Sequence, residues 1–239
     1  MSGKRLTTRS GDCADQLRHA DSRTASNILL AALHESHWSA AGWVRFLAAA
    51  CDRSLHQAFA RPRAAVEATV LHFLLGALAS PRSRSWVLCS WLLTMTHLGM
   101  LDDTRRLGIA NIITLVRANL PALDKRIGQA IPVIALATDF LDGKLARVSG
   151  SVTSFGTHAD FFSDAAVWTW YTLRMEPRSA VRAIVFAAWI LPVAAISAIS
   201  VSRGRIIEIP RSRWVRPSAL VEVLVGGRAV IRLLRGSSR

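Results

Sequence analysis

Apolar residues gather in seven blocks, 65–80, 85–101, 108–123, 127–146, 156–174, 180–202 and 217–234, separated by short connections that mostly carry arginine. A soluble domain of this length mixes apolar and polar positions more evenly, whereas such blocks predict membrane-spanning helices. Several fall short of the roughly 20 residues that a span needs, so the pattern predicts five to seven spans. The fold class that follows is all-α, a polytopic membrane bundle of about six transmembrane helices. The clearest span is "SAVRAIVFAAWILPVAAISAISVS", with no charge between Arg182 and Arg203; the weakest is 217–234, interrupted by Glu222 and Arg228.

Ahead of the blocks, residues 1–27 are polar and predict a loosely ordered segment. Their basic residues are not followed by an apolar run, so no cleaved signal peptide is expected. Residues 28–60 are amphipathic at helical spacing and predict helices that lie on the membrane surface or cap its cytoplasmic face. The organisation expected is therefore an N-terminal polar and amphipathic region, 1–62, and a transmembrane domain, 63–239.

Composition sharpens this picture in two places. The formal net charge of +14 on a chain that is 51% hydrophobic admits a nucleic-acid reading. However, no basic stripe interleaves with aromatics, and the arginines flank apolar blocks, so anionic lipid headgroups are the expected partner and nucleic acid is not. The connection "RGRIIEIPRSRWVR", with arginines at 203, 205, 211, 213 and 216, is expected to be cytoplasmic. Counting back from it places the 147–155 loop, "DDTRR" at 102–106 and the N-terminal region on the same side, while Arg174, Arg178 and Arg182 fall on the other.

Cys13, Cys51 and Cys89 are far apart and predict neither a disulfide framework nor a zinc site. "HESH", with His34, Glu35 and His37, lacks the i, i+4 histidine pair of a zinc helix. Most tryptophans sit near block ends, as interfacial anchors do.

The candidate chemistry lies in "DFLDGKLARVSGSVTSFGTHADFFSD", residues 139–164. On a helix, Asp139, Asp142, Gly143 and Ala146 share one face; so do Gly156, Asp160 and Asp164. If the 147–155 loop turns the two helices antiparallel, four carboxylates converge near one membrane surface, where they repel unless compensated. Divalent cations with oxygen ligands are the natural compensation, and such ions share coordination with substrate phosphates. The alternative is that these aspartates are helix-end residues that meet solvent or pair with Lys144 and Arg147.

The arrangement Asp139-x-x-Asp142-Gly143-x-x-Ala146-Arg147, eight residues, then Gly156-x-x-x-Asp160-x-x-x-Asp164 resembles the signature of the CDP-alcohol phosphotransferases, integral membrane enzymes of phospholipid head-group synthesis. "NIITLVR" at 111–117 is similar to the opening of that family's first core helix, and the resemblance covers a motif core of about 108–175. It implies two divalent ions, Mg²⁺ or Mn²⁺, held by Asp139, Asp142, Asp160 and Asp164, with Asp164 also the catalytic base. It implies nucleotide-lipid contacts from Gly143, Ala146, Arg147 and Gly156, with Thr153 and the segment Ile109, Ala110, Asn111 and Ile112 lining the same pocket. Ala110 stands where a proline is common in the family.

The activity implied is transfer of a phosphatidyl group from CDP-diacylglycerol to the hydroxyl of a small polar acceptor, with release of CMP. "NIITLVR" looks most like the phosphatidylglycerophosphate synthases, so glycerol 3-phosphate is the first acceptor expected and an inositol phosphate the next. The resemblance also implies a multi-pass protein of the cell membrane with its active site facing the cytoplasm, and a homodimer. Two other readings of the aspartates stand beside it: a Mg²⁺-dependent membrane prenyltransferase, which leaves Gly143, Ala146 and Arg147 unexplained, and a catalytically inactive membrane scaffold, which leaves Asp164 unexplained.

Overall fold

The three-dimensional structure is a computed structural model that describes residues 10–207, 224–228 and 231; the side chains of 10–14 are not described. The described residues form helices and turns, with no strand among them. In chain order the helices are α1 (Ser10–His19), α2 (Ser22–Glu35), α3 (Ala40–Ala60), α4 (Pro62–Leu78), α5 (Arg84–His97), α6 (Ile109–Ala118), α7 (Asp124–Ile127), α8 (Ile131–Val148), α9 (Ser154–Met175) and α10 (Ser179–Arg203). The all-α class expected from the sequence is the class observed.

Helix starts follow local chemistry. Asp21 caps α2, its carboxylate accepting from the N–H groups of Arg23 and Thr24, both at 2.9 Å, and so satisfies two donors that a helix leaves open. Ser39 caps α3 by accepting from Gly42 N–H, and Pro62 opens α4 where its missing N–H costs nothing.

Of residues 1–27, expected to be loosely ordered, 10–19 form α1 and 22–27 open α2 instead. Long-range contacts explain the difference: Arg53 of α3 donates to the carbonyls of Leu17 and Ala20, Gln57 donates to Arg18, and Arg18 pairs with Asp52 at 3.0 Å. The polar composition of this region reflects a hydrogen-bonded seam against α3, which periodicity alone does not reveal.

The six apolar blocks between 65 and 202 coincide with helices, but several helices are short. Among the described residues only α10, with 25 residues, is long and apolar enough to cross a membrane. The α6 helix has 10 residues, which at 1.5 Å per residue gives about 15 Å. The block at 217–234 lies mostly outside the described residues. Within it, Val225 packs on the cluster that contains Val167, Trp168, Val185 and Trp189, and Arg228 meets Glu176 at 3.3 Å, so 224–228 lies against that cluster and the end of α9.

Two apolar clusters grip the site from either side. Ala64, Ala68, Leu98, Leu101, Leu107, Leu115 and Phe155 join α4 and the 98–107 connection to α6 and the start of α9. Ile131, Ala135, Val167, Trp168, Val185 and Trp189 join α8, α9 and α10. Outside these clusters, α4 turns Val66, Val70, Phe73 and Leu74 outward, each more than half exposed. Such a band of large apolar side chains suits contact with lipid.

Candidate active site

Helices α6, α8 and α9 pack against one another and carry the candidate chemistry. The turn from α8 to α9 makes their convergence possible. Gly150 takes φ +61°, a left-handed conformation that glycine adopts without a Cβ penalty. Thr153 then caps α9, its hydroxyl accepting from Gly156 N–H at 3.0 Å.

The predicted faces meet as the helical spacing implies. Asp139, Asp142 and Asp160 present carboxylate oxygens that all lie within 4.8 Å of one another. Asp164 lies one turn beyond Asp160 on α9 and is buried, as is Asp142, while the Asp139 and Asp160 side chains are 40% and 46% exposed. Asp139 and Asp160 are therefore the more open pair, and Asp142 and Asp164 the more enclosed.

The cation among them is Arg117, from the last turn of α6, and it is fully buried. Its guanidinium meets Asp139 at 3.0 Å, Asp142 at 3.2 Å and Asp164 at 3.1 Å, and also pairs with Asp160. Lys144 instead lies over the Phe140 ring, and Arg147 lies over Gly143. The helix-end pairing with Lys144 and Arg147 is thus replaced by one arginine from a third helix.

Thr114, one turn earlier on α6, donates its hydroxyl to Asp142 at 2.6 Å, and Ser163 of α9 donates to the Thr114 carbonyl at 3.0 Å. Sequence reasoning assigned no role to Arg117, Thr114 or Ser163. The signal available was Arg117 itself, the only charged residue in the 108–123 block; an ionisable residue inside an apolar helix demands a partner.

In front of the carboxylates opens a cavity of about 430 Å³. Its walls include Asp139, Asp142 and Asp160 at one end, and Ala110, Asn111, Gly143, Ala146, Arg147, Thr153 and Gly156 around the remainder. Of the other positions singled out in the sequence, Ile109 is 70% exposed at the start of α6 and Ile112 packs on the cluster behind it, so neither is among the lining residues. Asp164 stands behind the wall, held by Arg117.

The donor set suits a hard divalent cation: carboxylate oxygens only, closely grouped and partly open to the cavity. Among the described residues, Arg117 is the guanidinium that meets all four carboxylates.

Residues 107–231, more than half of the chain, match the CDP-alcohol phosphatidyltransferase family. The protein belongs to this family, whose members are membrane transferases that use CDP-alcohol substrates, alcohol acceptors and divalent metal ions. No curated protein and no solved structure matches the chain.

Proposed function

We propose that the protein transfers a phosphatidyl group from CDP-diacylglycerol to the hydroxyl of a small polar acceptor, releasing CMP. Glycerol 3-phosphate is the first acceptor and an inositol phosphate the second. The observation that carries this reading is the single cavity lined by the small residues of the motif, Arg147 and three of the carboxylates. A nucleotide laid along Gly143, Ala146 and Gly156 would bring its diphosphate to the aspartates.

Asp139, Asp142, Asp160 and Asp164 would hold a pair of Mg²⁺ or Mn²⁺ ions. When bound there, such ions would supply charge neutralisation for the diphosphate and the departing CMP. Arg147, exposed at the cavity wall, offers a planar set of donors to a phosphate. Asp164 is the base: it takes the proton of the acceptor hydroxyl as that oxygen bonds to the phosphorus attached to the lipid and the bond from that phosphorus to CMP breaks. The role follows the family resemblance; Asp164 itself stands one helical turn beyond Asp160 and is not among the residues that line the cavity. The membrane setting, with more than one span and the cavity facing the cytoplasm, rests on the apolar blocks and on the arginines at 203–216.

The test of the acceptor is product identity. With CDP-diacylglycerol and Mn²⁺ or Mg²⁺ present, glycerol 3-phosphate should yield phosphatidylglycerophosphate at a higher rate than inositol phosphate yields its lipid. A panel in which a different alcohol is consumed fastest overturns the choice of acceptor and leaves the donor standing.

A further inference from the structure

Arg117 poses a problem that the transfer chemistry does not answer. A guanidinium is a permanent cation, and here it is fully buried within contact of all four motif aspartates. Those oxygens are the ones that divalent cations would use. Two kinds of cation are therefore assigned to one set of ligands.

Each alone explains half of the situation. Without any cation, four carboxylates grouped this closely would repel and would be costly to keep in the bundle. Without ions, Arg117 supplies that compensation from within the chain: its planar donors reach α8 through Asp139 and Asp142 and α9 through Asp160 and Asp164. One side chain thus ties three helices together at the point where the motif must be held.

We propose that Arg117 is a positioning residue, the resident counter-ion of the carboxylate cluster, which holds the four aspartates in place before divalent cations bind and gives up its contacts with them when they do. This rests on the metal-dependent reading of the site. Thr114 remains to hold Asp142 during the exchange, because its hydroxyl bond at 2.6 Å does not involve the guanidinium. Ser163, 3.4 Å from Arg117 Nε and bonded to the Thr114 carbonyl, offers the guanidinium a neutral neighbour beside the cluster.

The consequence is a competition with a definite sign. Removing Arg117 destabilises the ion-free protein more than the ion-bound protein, so by linkage the variant binds divalent cation more tightly. The experiment compares wild type with Arg117→Met and Arg117→Lys in detergent. Mn²⁺ affinity is read by electron paramagnetic resonance, and the unfolding midpoint is read in EDTA and in saturating Mn²⁺.

For Arg117→Met we expect Mn²⁺ binding about tenfold tighter than wild type, the order of a single coupling between sites. We also expect a midpoint well below wild type in EDTA that largely recovers in Mn²⁺. Unchanged or weaker Mn²⁺ binding, with the same loss of midpoint in EDTA and in Mn²⁺, would make Arg117 a structural core residue and overturn the proposal. Should the Met variant not be recovered even with Mn²⁺, Arg117→Lys decides. Its compact head cannot reach four carboxylates, so its Mn²⁺ binding should tighten several-fold, and unchanged binding overturns the proposal. A wild-type protein that binds no Mn²⁺ would overturn the metal reading itself, an outcome distinct from equal binding by all three proteins.

Discussion

Asn111 and Gly156 meet where α6 crosses α9, and a Cβ built on Gly156 would lie 2.5 Å from the Asn111 amide oxygen. No ordinary contact is that short, so the motif glycine sets how closely two walls of the cavity approach. The Asn111 amide nitrogen donates to the Leu107 carbonyl at 2.7 Å, which fixes the side chain against yielding. Gly156→Ala should therefore destabilise the protein by about 1–3 kcal/mol, the usual cost of overpacking, and weaken CDP-diacylglycerol binding. Adding Asn111→Ala should restore most of the lost stability, because the two changes share one contact. Unfolding midpoints of the two single variants and the double variant check this, and strict additivity would contradict it.

Thr114 orients Asp142 by the hydroxyl bond at 2.6 Å. Thr114→Val keeps the shape and removes the donor, so the apparent affinity for Mn²⁺ in the transfer reaction should fall by about 10- to 100-fold, the size of comparable losses around metal ligands. Titrating Mn²⁺ at fixed CDP-diacylglycerol checks this, and Thr114→Ser should recover most of the affinity.

Asp164 is assigned the proton. Asp164→Asn should lower turnover by about 100- to 10,000-fold, the range of general base contributions, while CDP-diacylglycerol still binds. Undiminished turnover in that variant would remove Asp164 from the base role.

The N-terminal helices should respond to acid. The Thr24 hydroxyl and the Thr24 and Arg23 backbone N–H groups hold the Asp21 carboxyl below its usual range, and a hydrogen bond from Arg18 does the same for Asp52. Carboxyls with depressed values in the folded state stabilise it above their unfolded value of 3.8, and that stabilisation is lost as pH falls through the lower folded value. The α1–α2 segment should therefore loosen below about pH 4, seen as faster proteolysis at residues 19–23. Asp21→Ala should show the same nicking at neutral pH.

The two aspartate faces were legible in the sequence because each is a local pattern: offsets of three, four and seven on α8, and of four and eight on α9, fix a face without knowledge of the rest of the chain. Arg117 was legible only as an oddity, a lone charge in an apolar block, since nothing in spacing tells which distant helix supplies a partner. The same holds for residues 10–27, whose helices depend on Arg53 and Gln57 from α3. The number of spans was the least legible feature: blocks of 16 to 23 residues contain helices as short as α6, with turns filling the remainder.

The central claim is that the carboxylate cluster and its cavity cleave CDP-diacylglycerol in a metal-dependent transfer. The most direct measurement is CMP formation by the purified protein in detergent with CDP-diacylglycerol and a panel of small alcohols, with Mn²⁺ or Mg²⁺ and with EDTA. CMP that forms only with acceptor and divalent cation present, and is abolished in Asp160→Asn, is the predicted result. No metal-dependent CMP with any acceptor, or equal CMP from Asp160→Asn, would contradict it.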